Sequence, residues 1–442
     1  MKQKTYPSYK PSGVEWIGNV PRHWTICRLK HNTYIKARVG WHGLNSADFK
    51  TEGPYCVTGT DFKNGRISWD SCYRVTQERY DEDPYIQLRV EDLLITKDGT
   101  IGKTAVIHEL PGPSTLNSGV FVVRPIRDYI SPYLFWVLNS SVFTEFVGYN
   151  SKGSTIIHLY QDTFYNLPLP IPPVIEQKAI VIYLDQKTAL IDSTIRQKER
   201  LIELLQEERT AIINRAVTRG LDPNVPMKDS GVEWIGEIPC NWESTSLKRI
   251  VSIPVTDGPH ETPTFILEGV PFVSAEAIQN GSVNFSACRG FISIEEDERF
   301  SLKCKPQRGD VFVVKSGSTT GKVAYVNTDI NFNIWSPIAL VRAGENQVGR
   351  FLYYALSSNY FQTQVQLFWS FGTQPNIGMN VLENLQVVYP TEVEQQAIAS
   401  YLDQKTILID DTILKNLQQI SALTEYRTAL INEVVTGKRC VT

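Results

Sequence analysis

Two stretches of the chain, 174–218 and 391–436, contain neither Gly nor Pro, and their apolar residues recur at alternating steps of three and four. That spacing predicts one long helix over each stretch, with a narrow coiled-coil seam along one side. In the first helix one seam row holds Leu184, Ile191, Lys198, Leu205 and Ile212, and the other Thr188, Ile195, Ile202, Arg209 and Ala216. The second helix answers with Leu402, Ile409, Asn416, Leu423 and Leu430, then Thr406, Ile413, Ile420, Arg427 and Val434. Polar residues enter both seams at equivalent places, Lys198 matching Asn416 and Arg209 matching Arg427; such residues cost stability but fix register and partner. Pro172 and Pro173 precede the first helix, Thr391 with Glu394 makes a capping-box start for the second, and Gly220 and Gly437 stand where the helices should stop. At about 1.5 Å per residue each rod is roughly 65 Å long.

Outside these stretches the pattern changes to short apolar runs, such as LLIT, GVFVVRP and VFVV, separated by turn clusters, which reads as strands. SPYLFWVLNSSVFTEFV, from Ser131, predicts a helix with Ser131 as its cap and Pro132 at its first position. The expected fold class is α+β: two globules of mixed helix and strand joined by two long coiled-coil helices. The expected divisions are a globule over 1–171, a helix over 172–220, a second globule over 221–390 and a second helix over 391–442.

The chain is one unit used twice. SGVEWIG occurs at 12–18 and again at 230–236, an offset of 218. EQKAIVIYLDQKTALID (176–192) meets EQQAIASYLDQKTILID (394–410) at the same offset, with 13 of 17 positions identical. Between these anchors the copies diverge, although DLLITKDGTIGK (92–103) still answers DVFVVKSGSTTGK (310–322). Fixed helices with variable globules point to a duplicated domain with a connector. Two identical rods packed antiparallel give a pseudo-two-fold molecule, with Val14, Trp16 and Ile17, and likewise Val232, Trp234 and Ile235, as buried anchors where a helix end meets the next globule.

Composition narrows the class. A chain of 442 residues, 42% hydrophobic and 21% charged, is long enough for two cores, and no apolar run reaches the roughly 18–20 residues of a membrane span. The start, MKQKTYPSYKPSG, lacks a signal-peptide apolar region, and the seven Cys show no C-x-x-C spacing, which together lead to an expected cytoplasmic location. The net charge is −3; residues 24–171 hold 15 Lys and Arg against 15 Asp and Glu, and residues 242–389 hold 11 against 13, so neither globule has a basic footprint.

Catalytic motifs do not assemble. GTIGKT at 99–104 has only two residues between its glycines where a P-loop needs four, and GSTTGKV is also misspaced. Glu176 with DQK at 185–187, and Glu394 with DQK at 403–405, could supply a nuclease-type carboxylate set, but on a helix they read as an exposed charge pattern. The six His residues show no metal-ligand spacing. No metal or cofactor is expected in this chain.

Two variable globules, each led by SGVEWIG and followed by EQxAIxxYLDQKTxxID, resemble the specificity subunit of type I restriction-modification systems, over nearly the whole chain. The resemblance implies that each globule is a target recognition domain reading one half of a split double-stranded DNA site, with antiparallel helices setting the gap. It further implies two methyltransferase subunits that bring S-adenosylmethionine, and restriction and motor subunits that bring ATP and Mg²⁺. Polar loops that interrupt the strands are then the candidate DNA contacts: Lys97, Thr100 and Lys103, with Lys315, Ser318 and Lys322; Lys152, Ser154 and Thr155; Thr373, Gln374 and Asn376; and Arg38, Trp41, His42 and His260. Lys and Arg there suit phosphate or guanine, and Gln and Asn suit adenine. Two other readings remain: a self-contained nuclease, and a protein-binding scaffold without DNA.

Overall fold

The short apolar runs of the first globule form β1 (Thr33–Lys36), β2 (Leu93–Thr96), β3 (Thr104–Val106) and β4 (Val120–Pro125). They pair antiparallel in the order β1-β4-β2-β3. Successive strand side chains point to opposite faces, and both faces are covered: Leu93, Ile95, Phe121 and Val123 join one apolar cluster, while Leu94, Ala105, Val120 and Val122 join another. The first cluster is closed by α1 (Ser131–Leu138) and α2 (Ser141–Asn150). The single helix expected from Ser131 onward is therefore two. Ser140 breaks it, its hydroxyl donating to the Val137 carbonyl and accepting from the Val142 amide. Ile130, not Ser131, is the capping residue. The computed structural model describes residues 5–38, 44, 48–150, 158–371 and 374–441.

After α3 (Val174–Arg219), the second globule repeats this plan with β5 (Thr256–Asp257), β6 (Val311–Val314), β7 (Val323–Tyr325) and β8 (Ile338–Val341), in the order β5-β8-β6-β7. The helices α4 (Gly349–Ser357) and α5 (Asn359–Phe368) cover one face, and α6 (Glu392–Val435) ends the fold. Each globule also holds, at the same offset, an ion pair with a buried carboxylate and a half-buried guanidinium. Arg124 reaches both oxygens of Asp92 at 2.6 and 2.8 Å, and Arg342 those of Asp310 at 2.7 and 2.8 Å.

The chain divides into two compact units, Met1–Lys198 with Gln418–Thr442, and Glu199–Leu417, each holding one globule with part of α3 and part of α6. In the first unit Leu184 and Ile191 share a core with Leu430, Ile431 and Val434. There Arg427 donates to Asp192 at 2.8 Å, and Lys198 donates to Gln419. In the second unit Arg209 lies 3.1 Å from Asp410, the pair at equivalent positions. Numbers rise on one helix as they fall on the other, so the helices run antiparallel within each unit. Every seam position is buried or half-buried, whereas Leu190, Leu204, Leu408 and Leu417 beside the seam are exposed. The part-exposed ion pairs contribute about 1 kcal/mol or less each and act chiefly on register.

The recurrence of EQ and YLDQK now has a physical cause. The Gln177 amide donates to the Asp128 and Pro172 carbonyls at 2.7 and 2.8 Å and accepts from the Ile130 amide at 3.1 Å. Gln395 does the same to Asn346, Pro390 and Val348, each 218 residues on. Asp185 accepts from the Trp136 indole at 3.0 Å, and Asp403 from the Tyr354 hydroxyl at 2.6 Å. Glu176 is buried and accepts from Tyr6, Trp24 and His23. Glu176, Asp185 and Asp403 therefore tie globule to helix, which corrects the exposed-charge reading for these three, whereas Gln186, Lys187, Gln404 and Lys405 are exposed as that reading has them. Among the described residues no helix is long and apolar enough to cross a membrane.

The SGVEWIG strings are hairpin turns between Tyr9–Pro11 and Asn19–Pro21, and between Met227–Asp229 and Glu237–Pro239. Ile17 and Ile235 are buried, and Trp16 packs on Phe146 and Tyr149 as Trp234 packs on Phe368. Val14 and Val232 are half-buried. In the first unit the hairpin meets the end of α6, where Gly437 turns at φ +72° and a Cβ would lie 2.2 Å from Pro21.

Candidate nucleic-acid interface

The loop from β2 to β3 and the loop from β6 to β7 are closed by the same backbone bonds. Thr96 N–H donates to Lys103 O and Gly102 N–H to Thr96 O, at 2.9 and 3.0 Å; Val314 donates to Lys322 and Gly321 to Val314, at 2.8 and 2.7 Å. Both closures need glycine: Gly102 and Gly321 have φ of +87° and +94°, and a Cβ would lie 2.8 Å from the Phe143 ring and 2.6 Å from Gln362 Oε1. A second segment is laid against each loop by one more equivalent bond, Leu159 N–H to Lys97 O at 3.0 Å and Ile377 N–H to Lys315 O at 2.8 Å. In the second globule Ser316 also bridges to Asn376. The structure thus brings Lys97, Thr100 and Lys103 beside the segment that follows Lys152, Ser154 and Thr155. It also brings Lys315, Ser318 and Lys322 beside Gln374 and Asn376.

Each frame carries a carboxylate gripped by a lysine and a histidine, from different chain positions. In the first globule Asp98 accepts from His158 Nδ1 at 2.8 Å and lies 3.3 Å from Lys97 Nζ. A cleft of about 400 Å³ opens there between Lys97, Asp98, His158, Phe121 and Tyr160. In the second globule buried Asp257 meets Lys303 at 2.5 Å, Lys315 at 3.1 Å and His260 Nε2 at 3.0 Å. Burial alone pushes both carboxyls up; the hydrogen bonds from His158 and Lys97, and from Lys303 and Lys315, outweigh it and hold them below the usual carboxylate range.

Thr100, Lys103, His260, Ser318, Lys322, Gln374 and Asn376 are exposed and Lys97 is half-buried. Two candidates are corrected. Arg38 is only 2% exposed, its guanidinium donating to the Leu116 carbonyl and the Thr115 hydroxyl, so it braces the neighbouring strand. Lys315 is 9% exposed and its ammonium is spent on Asp257, so it holds the frame together. Trp41, His42, Lys152, Ser154, Thr155 and Thr373 lie outside the described residues. Asp98, His158, Asp257 and Lys303 lie beside these loops and were not singled out by motif. One signal for this region was present: Gly40-x-His42 and Gly258-x-His260 stand 218 apart, and a Cβ on Gly258 would lie 1.9 Å from the Ile334 carbonyl oxygen.

Among the described residues no group of three or more His, Cys, Asp or Glu side chains is placed to hold a metal ion. Burial pushes the Cys56 and Cys304 thiols up to about 12, which leaves both unreactive near neutrality.

The sequence model of the type I restriction modification DNA specificity domain matches residues 43–204 and again residues 239–424. The chain belongs to this family. As a specificity subunit it is the non-catalytic member of a type I system. It is 27% identical to the EcoBI specificity subunit of Escherichia coli over 71% of this chain and 66% of that one. It is 24% identical to the MjaVIII specificity subunit of Methanocaldococcus jannaschii over 95% and 93%. Its fold matches a chain solved in work on complex assembly and conformational transition of the type I system, with a TM-score of 0.70 at 17% identity over 94% of this chain and 98% of that chain. It also matches the HsdS subunit of Thermoanaerobacter tengcongensis, with a TM-score of 0.57 at 16% identity over 95% and 98%.

Proposed function

We propose that the two globules read the two halves of an asymmetric, interrupted site in duplex DNA, and that α3 and α6 hold those halves to one constant gap. One observation supports this reading above others. A loop frame closed by equivalent bonds in both globules carries unlike side chains at positions 218 residues apart: Asp98 and His158 in one globule, Ser316 and Asn376 in the other. A duplicated enzyme site needs the same groups twice; two half-sites of different sequence need different groups on one scaffold. Half-site centres about one helical turn apart, roughly 34 Å, suit two such heads.

The DNA-facing set is Lys97, Thr100, Lys103, His260, Ser318, Lys322, Gln374 and Asn376, joined by Trp41, His42, Lys152, Ser154, Thr155 and Thr373, while Arg38 and Lys315 act inside the frame. With charges balanced in each globule, these few cations and the partner subunits share the neutralisation of phosphate. The partners are two methyltransferase subunits using S-adenosylmethionine and restriction subunits using ATP and Mg²⁺, docked on the fixed helices.

The exposed ammonium groups of Lys103 and Lys322 provide a test. In the complex with methyltransferase subunits, Lys103→Ala and Lys322→Ala should each weaken DNA binding evenly across sequences and reduce the slope of log affinity against log salt by about 1. Titrations at several salt concentrations measure this, and an unchanged slope in both variants removes these loops from the interface.

A further inference from the structure

The two loop frames are closed by equivalent bonds, with one extra residue in the second loop, so the differences at their matching positions are informative. At 98 and 316 stand Asp and Ser; at 158 and 376 stand His and Asn. None of the four contributes to an apolar core, and all sit where the paired segments meet. In the first globule the Asp98 carboxylate lies beside the Lys97 ammonium, 3.3 Å away, with His158 fixing the carboxylate from its other oxygen. An acceptor next to a donor matches the major-groove edge of a C·G pair, where cytosine N4 donates and guanine O6 and N7 accept. The second globule presents something else. Its lysine at the matching position is turned inward onto Asp257, and the exposed Asn376 side-chain amide makes no hydrogen bond among the described residues. A free carboxamide on a two-segment frame matches adenine N6 and N7, which a single Asn engages with two bonds.

We infer that Asp98 with Lys97 reads a C·G pair in one half-site, and that Asn376, flanked by Ser316, reads an A·T pair in the other. This rests on the reading of the globules as DNA-binding heads and assigns the base class that each recognises. The backbone frame is common because both heads must present two segments at one height; the tips differ because the bases differ.

The test is a map of methylated adenines in DNA from cells making the complete complex with the original chain, with Asp98→Ser plus His158→Asn, and with Asn376→Ala. The double variant should lose its preference for C·G at one position of one half-site, by on the order of 10- to 100-fold, and leave the other half intact. Asn376→Ala should relax an A·T position in the opposite half to a similar degree. If the double variant yields no methylation, Asp98→Asn keeps the side-chain shape and should shift that position from cytosine towards adenine. Base preferences unchanged at every position in these variants overturn the assignment. Exchange of residues 24–171 for those of another head separates the two claims: a changed half-site with silent point variants sinks only the assignment, and an unchanged motif sinks the DNA-reading account itself.

Discussion

Arg342→Met is expected to destabilise the second unit by about 3–5 kcal/mol, the cost of removing one partner from a buried ion pair. Asp310 is 1% exposed, and its carboxylate accepts two bonds from the Arg342 guanidinium and one from the Gln307 amide at 2.7 Å. Arg342 further donates to the Lys305 carbonyl at 2.8 Å. Met fills much of the volume but leaves a buried negative charge without a counterion at the start of β6. Urea unfolding followed by far-UV circular dichroism should show an earlier transition for this unit, and Asp310→Asn in the same chain should recover a good part of the loss by removing the charge. Arg124→Met should act alike in the first unit, where Asp92 also takes the Arg89 amide at 2.8 Å. A loss under about 1 kcal/mol in both cases would place these pairs with surface salt bridges and contradict their role as core fasteners.

Trp24→Ala should cost a comparable amount, about 3–5 kcal/mol, through the cavity left by a fully buried Trp side chain of the first core. Trp24 is fully buried where the globule, the start of α3 and the end of α6 meet. Its ring is 5.8 Å from that of Tyr6, and its indole N–H donates to Glu176 at 3.2 Å. The truncation also takes one donor from a buried carboxylate. Trp242→Ala is the internal control. Trp242 is as deeply buried, but its indole nitrogen has no hydrogen-bond partner among the described residues, so that variant should pay for the cavity alone. Equal losses at the two sites would show that the Glu176 contact adds nothing.

Legibility from sequence followed how local each feature is. The seam, the helix stops at Gly220 and Gly437 and the duplication depend on spacing along one chain segment, and spacing is what a sequence displays. The break at Ser140 falls at Asn139-Ser140-Ser141 inside an otherwise largely apolar run, and whether those polar residues continue one helix or end it is decided by the bonds Ser140 makes with Val137 and Val142. The buried pairs Asp92–Arg124 and Asp310–Arg342 join residues 32 apart, and their charges read as ordinary surface charge until the strands are paired. At the candidate site, the loops were found because both copies keep a glycine-framed GK, yet their chemistry lay one residue away. Asp98 borders Lys97, His158 arrives from a different segment, and Asp257 and Lys303 stand 46 residues apart. Arg38 shows the opposite error: a cation in a polar stretch looks available, whereas its guanidinium is buried against the Leu116 carbonyl and the Thr115 hydroxyl.

The most direct measurement is the map of methylated adenines made by the intact complex before and after residues 24–171 are replaced by the corresponding segment of a different head. Two unlike half-sites with an unvarying gap, of which the replacement rewrites one and spares the other, is the predicted result. A single uninterrupted motif, or a replacement that alters both halves or the gap, would contradict the claim that each globule reads its own half.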